Sequence, residues 1–310
     1  MSDKNQYIFG PVPSRRLGLS LGVDIVPFKV CTLDCIYCQL GRTTEKTVVR
    51  KAYVPVEDVL TELEERLSEG VRADFITLSG SGEPTLNSGL GRVIDGIKGI
   101  TAVPVALLTN GTLLCDEKVR AECLQADVIL PSLDAGDEQT FWKINRPVAG
   151  ISIEKLIAGL CELREVFAGE IWLEVFLVEG VNTEAEQIDK IKDAIRRIRP
   201  DKIQLNTAVR PTAEGFLERV SAEKLRTIAS EIGGNSEVIA DYSRPSRGKG
   251  VETGAEYVLS MLRRRPCSLA DISAGLGVDL GQTRELVKRL QRKGLVRSEG
   301  KQKTLFYKAD

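Results

Sequence analysis

Cys31, Cys35 and Cys38 stand within eight residues of one another in VCTLDCIYCQLG, spaced C-x3-C-x2-C. Three thiolates that close can wrap one compact metal centre, and soft sulfur ligands suit an iron–sulfur cluster or zinc. A structural zinc site wants a fourth strong ligand, and the chain contains no histidine to provide it. A [4Fe–4S] cube held by three cysteines leaves one iron open instead. Three unrelated buried thiols are the plain alternative. The missing histidine also removes Ser-His and Cys-His triads, so acid–base work would fall to Asp, Glu, Lys, Tyr or Cys.

The elements that must position such a centre are legible around it. The chain has 310 residues, 42% apolar, 28% charged and 5% aromatic, the profile of an ordinary globular protein. That is roughly two domains at ~150 residues each, although an α/β barrel can use ~200–250 as one. No apolar run reaches the ~18 residues of a membrane span, and the N-terminus lacks the apolar core of a secretory signal. The expectation is a cytoplasmic chain that meets no membrane. Its seven cysteines, an odd number, then point to a metal site or free thiols rather than a disulfide framework. With 43 Lys+Arg against 44 Asp+Glu, no global field selects anionic partners.

Strands are predicted at 22–26, 74–80, 105–111, 127–132, 172–178 and 202–207, dense in β-branched and large apolar residues as strands buried on both faces should be. Between them Val56, Val59, Leu60, Leu63 and Leu67 share one helical face, and Ile188, Ile191, Ile195 and Ile198 another. Thr183 with Glu186 reads as a capping box for the latter helix, and Pro200 stops it. Ser152 caps a helix whose inner face is Ile153, Leu156, Ile157, Leu160 and Phe167. Alternating strands and helices predict right-handed βαβ units and a parallel sheet, flat or curled into an open barrel. Ligands sit at the C-terminal strand ends of such sheets.

The segment 241–254, rich in Pro, Gly, Ser and basic residues, reads as a linker between a domain at 1–240 and another at 255–310. Residues 263–310 hold 12 Lys/Arg against 5 Asp/Glu, a local charge of +7 that leaves −8 on the first 262 residues. Helical signals begin at Thr253, at Ser268-x-x-Asp271 and at Thr283, the last running to Lys293. LVRSEGKQKTLFYKAD then alternates around a Ser-Glu-Gly turn as a hairpin does. Three short helices and a basic hairpin predict a small winged helix-turn-helix domain.

C-x3-C-x-aromatic-C, with Tyr37 in the aromatic slot, resembles the signature of the radical S-adenosylmethionine (SAM) superfamily. Ordered motifs extend the resemblance over about 200 residues. LSGSGEPTL (78–86) is similar to the family's Gly-Gly-Glu-Pro loop, with Ser81 in place of the first glycine. The resemblance implies a partial (β/α)6 barrel, a [4Fe–4S] cluster on Cys31, Cys35 and Cys38, and SAM on its open iron. Ser79, Gly80, Ser81 and Gly82 would bind the methionine ammonium with support from Glu83. Thr109, Asn110, Ser132 and Asp134 would hold the methionyl carboxylate and ribose. The strand ends carrying Asn182 and Asn206 would pack the adenine. Gly82→Val is expected to weaken nucleotide binding and leave the cluster intact, because a side chain there would obstruct backbone approach to the ligand.

More closely, residues 9–43 and 132–147 resemble a subgroup similar to the enzymes that build the wyosine base of transfer RNA. Those carry a second cluster on upstream cysteines, and nothing precedes Cys31 here. Cys115, Cys123, Cys161 and Cys267 read as ordinary small residues. Arg15 and Arg16, and Lys143, Asn145 and Arg146, are candidate substrate contacts, with surface solvation the bland alternative. Arg284, Lys288, Arg289, Arg292 and Lys293 on the third C-terminal helix, with Arg297, Lys301 and Lys303 on the hairpin, are candidate nucleic-acid contacts. Peptide clamping and simple packing on the barrel are the alternatives for this tail. Two functions stand. One is an oxidoreductase-type radical enzyme acting on RNA or a peptide, fed by reduced flavodoxin or ferredoxin, with no catalytic side chain assigned. The other is an iron–sulfur DNA-binding regulator with a non-catalytic barrel.

Overall fold

A computed structural model describes residues 7–215, 217–239, 255–264, 266–276, 278–301 and 304–309. The chain opens with an antiparallel hairpin, β1 (Ile8–Ser14) and β2 (Gly18–Val23). Two short strands, β3 (Val30–Cys31) and β4 (Glu45–Lys46), pair beside the cysteines. Then follow α1 (Val56–Ser68), β5 (Phe75–Leu78), a 3-10 turn (Pro84–Leu86), α2 (Leu90–Ile100), β6 (Val105–Thr109), α3 (Glu117–Cys123) and β7 (Val128–Pro131). Next come α4 (Glu138–Asn145), α5 (Ile153–Val166), β8 (Glu170–Leu177), α6 (Ala185–Ile198), β9 (Lys202–Thr207), α7 (Ala222–Ile232) and β10 (Ser236–Val238).

These strands build one eight-stranded sheet, ordered β1-β2-β5-β6-β7-β8-β9-β10, and every pair after the first is parallel. Successive strands are neighbours in chain order joined by helices, so same-handed crossovers put the helices on one face of the sheet and leave the other to line the interior. Outward residues such as Leu21, Ile76, Leu107, Ile129, Leu173 and Leu205 share a core with Val59, Ile94, Leu160 and Ile191 of the helices. On the opposite face Leu17, Ala106, Val128, Leu130 and Trp172 form a smaller apolar cluster. The sheet curls until its edges touch. Arg15, in the β1–β2 turn, donates from Nη1 to the Asn206 side chain on β9 (3.1 Å) and to the Ile239 carbonyl beyond β10 (2.9 Å).

The C-terminal unit comprises α8 (Ala255–Arg264), β11 (Cys267–Ser268), α9 (Leu269–Leu276), α10 (Leu280–Arg292), β12 (Val296–Lys301) and β13 (Thr304–Ala309). Its antiparallel sheet runs β11-β13-β12. Val258, Leu262, Ile272, Val287, Leu290 and Tyr307 make its core, and Val12 of β1 packs against that core. Ser268 and Asp271 bond reciprocally at the start of α9, as a capping box does. Asp271 also meets Arg210, beyond β9, at 3.4 Å, with the two side chains 3% and 1% exposed.

Several local expectations are corrected. Glu184, not Thr183, precedes α6, and Thr183 Oγ1 accepts from the Gly180 N–H, so the predicted capping box does not form. The first parallel strand is Gly18–Val23, earlier than 22–26, and β1 escaped prediction. Asp279 caps α10 ahead of Thr283. The expected Ser-Glu-Gly turn lies inside β12, where Ser298, Glu299 and Gly300 pair with Tyr307, Phe306 and Leu305. The predicted linker 241–254, with Thr253, and Lys303 lie outside the described residues. Among the described residues no helix is long and apolar enough to cross a membrane.

Candidate cluster and cofactor site

Cys31 ends β3, Cys35 and Cys38 follow in the loop between β3 and β4, and backbone hydrogen bonds lace this segment from three sides. Lys29 N–H donates to the Ser81 carbonyl at 2.6 Å. Asp34 and Ile36 N–H groups donate to the Asn145 and Ile144 carbonyls at the end of α4 (3.0 and 2.9 Å). Ala213 and Glu214 N–H groups, beyond β9, donate to the Cys38 and Ile36 carbonyls (2.8 and 3.0 Å). Tyr37 stacks on Phe176 of β8 with ring centroids 3.9 Å apart, and its hydroxyl donates to Asp134 at 2.5 Å.

Each thiol of the triplet receives a nitrogen donor from a different place. Asn110 Nδ2 lies 3.4 Å from Cys31 Sγ, Asn145 Nδ2 3.4 Å from Cys35 Sγ, and Lys29 Nζ 3.0 Å from Cys38 Sγ. Burial, with Glu83 close by, pushes the Cys31 thiol up to about 12. Burial and Asp134 raise Cys35 as well. Burial thus disfavours the thiolate of these two sulfurs, and a metal's positive charge would offset that desolvation. Among the described residues no trio of Cys, Asp or Glu converges on a single ion. Three thiols, each with its own N–H donor, suit a multi-iron cluster that takes one cysteine per iron.

Beside the thiols is a cavity of about 410 Å³ whose walls include Cys31, Cys38, residues 79–83, Thr109, Asn110 and Ser132. The glycine loop is shaped by close approach. Gly80 has φ +133°, and a Cβ there would stand 2.8 Å from Asp24, whose carboxylate accepts from Ser81 N and Oγ. A Cβ on Gly82 would stand 2.1 Å from the Val30 carbonyl oxygen. Such a methyl would strike the residue next to Cys31, so substitution at Gly82 bears on the cluster loop as well as on the nucleotide. Glu83 is buried and accepts from Thr85 N and Oγ1, Thr109 Oγ1 and Asn110 N. Burial raises its carboxyl against the pull of those donors.

Other predicted residues stand behind the cavity wall. Asp134 accepts from Tyr37, Asn145 and the Phe176 N–H, and burial raises it to about 6. Asn182 Nδ2 donates to the Asp134 and Phe176 carbonyls. Asn206 bonds Arg15 and Glu174. Arg16 lines the cavity, held by Glu174 at 2.5 Å. Burial opposes ionisation of Glu174, but Arg16, Asn206 and Arg15 outweigh it and keep its carboxyl below the usual range. Arg146 pairs with Glu214 at 2.6 Å and so braces the cysteine loop, while Lys143 is exposed on α4. Arg284, Lys288, Arg289, Arg292 and Lys293 are all exposed on or just past α10.

Among the wall residues that escaped the sequence reading are Lys29, Glu174 and Met261 of α8. Glu174 carried a signal, a lone charge in the apolar run WLEVFLV. Met261 carried none, because only packing of α8 on β1 brings it there. A shallower depression of about 650 Å³, lined by Leu67, Val71, Asp74 and Ile100, contains no thiol and lies at the N-terminal end of β5.

A parallel α/β sheet with a half-buried thiol triplet and a glycine loop at its strand ends defines a cluster-bearing α/β enzyme. Residues 25–199 match the family model of the Radical SAM superfamily, and the chain belongs to it. It is therefore an enzyme of the superfamily that works with a [4Fe–4S] cluster and SAM. A UPF0026 protein of Methanocaldococcus jannaschii is 34% identical over 74% of this chain and 73% of its own length, which also places the chain in the UPF0026 family. A GTPase Obg of Brachyspira hyodysenteriae is 38% identical over 96% of this chain, yet the chain spans only 44% of that relative. The crystal structure of a radical SAM methyltransferase from Sphaerobacter thermophilus shares the fold at 20% identity, with TM-score 0.56 over 74% of this chain and 67% of that one.

Proposed function

We propose that the curled sheet is a partial (β/α)6 barrel in which Cys31, Cys35 and Cys38 hold the cluster and the adjoining cavity binds SAM. The observation that carries the reading is one cavity uniting two of those cysteines, the glycine loop and the exits of β6 and β7. When bound, the reduced cluster supplies the electron that splits SAM into methionine and a 5′-deoxyadenosyl radical, which takes hydrogen from the substrate. The chain's own task is orientation and exclusion of water. Backbone groups of Ser79, Gly80, Ser81 and Gly82 would meet the methionine ammonium, and Asn110 and Ser132 its polar remainder. Asp134, Asn182 and Asn206 would act indirectly, by fixing Tyr37 and the β8 and β9 exits. Arg16, fixed on Glu174, would face the substrate.

The C-terminal unit, read as a winged helix, is the second half of the proposal. Its exposed basic face on α10 supports recruitment of RNA, and Met261, on the same unit, lines the cavity. Base modification in transfer RNA is the substrate reading that joins these two facts. Reduced flavodoxin or ferredoxin would deliver the electron. The test is anaerobic reconstitution, dithionite reduction and chromatographic assay of 5′-deoxyadenosine, with and without co-purifying RNA. Slow cleavage alone and faster cleavage with RNA is the expected result. A full cluster with no cleavage under strong reductant would overturn it in favour of the regulator.

A further inference from the structure

Lys29 is built into the site at a conformational cost. Its φ of +60° is in the left-handed region that an L side chain avoids. Backbone bonds hold it there: its N–H reaches Ser81, and its carbonyl accepts from Thr44 and Glu45 N–H at 3.1 and 3.2 Å. The consequence is a lysine only 3% exposed whose ammonium points inward and ends 3.0 Å from Cys38 Sγ. Among the described residues no carboxylate lies within ion-pair distance of it. The other two thiols receive neutral amide donors, from Asn110 and Asn145, at the longer distance of 3.4 Å.

We infer that Lys29 is a positioning residue for electron uptake, its ammonium favouring the reduced state of the cluster through Cys38. The inference rests on the assignment of the cluster to Cys31, Cys35 and Cys38. Three thiolates on an oxidised [4Fe–4S]²⁺ core carry about one net negative charge, and one electron doubles it. A fixed cation at hydrogen-bond distance in a poorly hydrated site stabilises the more negative form more strongly. A cation at 3.0 Å acts more strongly on that charge than an uncharged amide at 3.4 Å, so Cys38 outranks its two companions in this effect.

The experiment is an EPR-monitored redox titration of anaerobically reconstituted wild type, Lys29→Met, Lys29→Gln and Lys29→Arg, with iron content and SAM affinity measured on each. Lys29→Met should move the midpoint potential to more negative values at full iron content. Lys29→Gln, which retains a neutral donor, should lie between, and Lys29→Arg should restore most of the shift. SAM affinity should change less than threefold. An unmoved potential in Lys29→Met, or in Lys29→Gln if Lys29→Met fails to load iron, overturns the inference. So does an unmoved potential with tenfold weaker SAM binding, which would assign the ammonium to the nucleotide. A wild type that takes up no cluster defeats the underlying assignment, and the inference with it.

Discussion

Gly82 is where the cofactor loop and the cluster loop press hardest on each other. A methyl group added there would stand 2.1 Å from the Val30 carbonyl oxygen and 3.1 Å from Val26 Cγ2. Carbon–oxygen contacts settle near ~3.3–3.6 Å, so the first overlap exceeds about 1 Å. The obstructing atom is backbone, and the Glu83 N–H donates to it at 3.0 Å. No rotamer change can relieve it; the strand carrying Val30 and Cys31 must move. Overpacking of this kind costs about 1–3 kcal/mol, and weakening the hydrogen bond adds about 1 kcal/mol. Gly82→Ala should therefore lower the melting temperature by on the order of 5–10 °C. It should also lower iron and sulfide content after anaerobic reconstitution, because the displacement is passed to Cys31. Gly99→Ala is the control: that glycine stands exposed in the last turn of α2, with nothing within 4 Å of an added Cβ. It should be neutral or gain up to about 1 kcal/mol from helix propensity. Differential scanning fluorimetry and iron assay on both variants decide the matter. Wild-type melting and full iron in Gly82→Ala would refute the clamp.

Three further outcomes are expected. Arg210→Met leaves the buried Asp271 carboxylate without its cation, though still accepting from Ser268 N–H, and should destabilise by about 3–5 kcal/mol in chemical denaturation, whereas Arg210→Met/Asp271→Asn, which removes the charge and keeps that acceptor, should recover most of it; additive losses would refute the pairing. Asp134 has its carboxyl raised to about 6 in the folded protein, against ~3.9 when unfolded, so its stabilising contribution is complete below about pH 4 and lost as pH rises through 6. Wild type minus Asp134→Asn should accordingly favour wild type more at pH 4.5 than at pH 7, by about 2–3 kcal/mol, and parallel pH profiles would contradict this. Changing Arg289, Arg292 and Lys293 together to Ala should weaken RNA binding and flatten its salt dependence by about 0.7 per lost contact on single strands; RNA binding that ignores salt would remove the nucleic-acid role.

What the amino-acid sequence determined by itself is whatever depends on short stretches. Six of the seven parallel strands were legible because each is a brief apolar run bounded by turn residues; β10, three residues long and only partly buried, has no such run. Ser152 and Ser268 caps, the helical faces and the C-x3-C-x2-C triplet are equally local. Tertiary structure decided the rest. β1 contains Gly10, Pro11 and Pro13, poor strand formers, and is a strand only because β2 pairs with it. Thr183 looks like a cap, yet the β8 exit turn claims its hydroxyl through Gly180. Three distant or unremarkable donors, Asn110, Asn145 and Lys29, converge one by one on three thiols. Glu174 meets an arginine 158 positions earlier, and Met261 reaches the cavity only because α8 packs on β1. Local pattern records which face of an element is apolar. Which polar atom waits across the fold depends on how the sheet curls, and that is a property of all its strands at once.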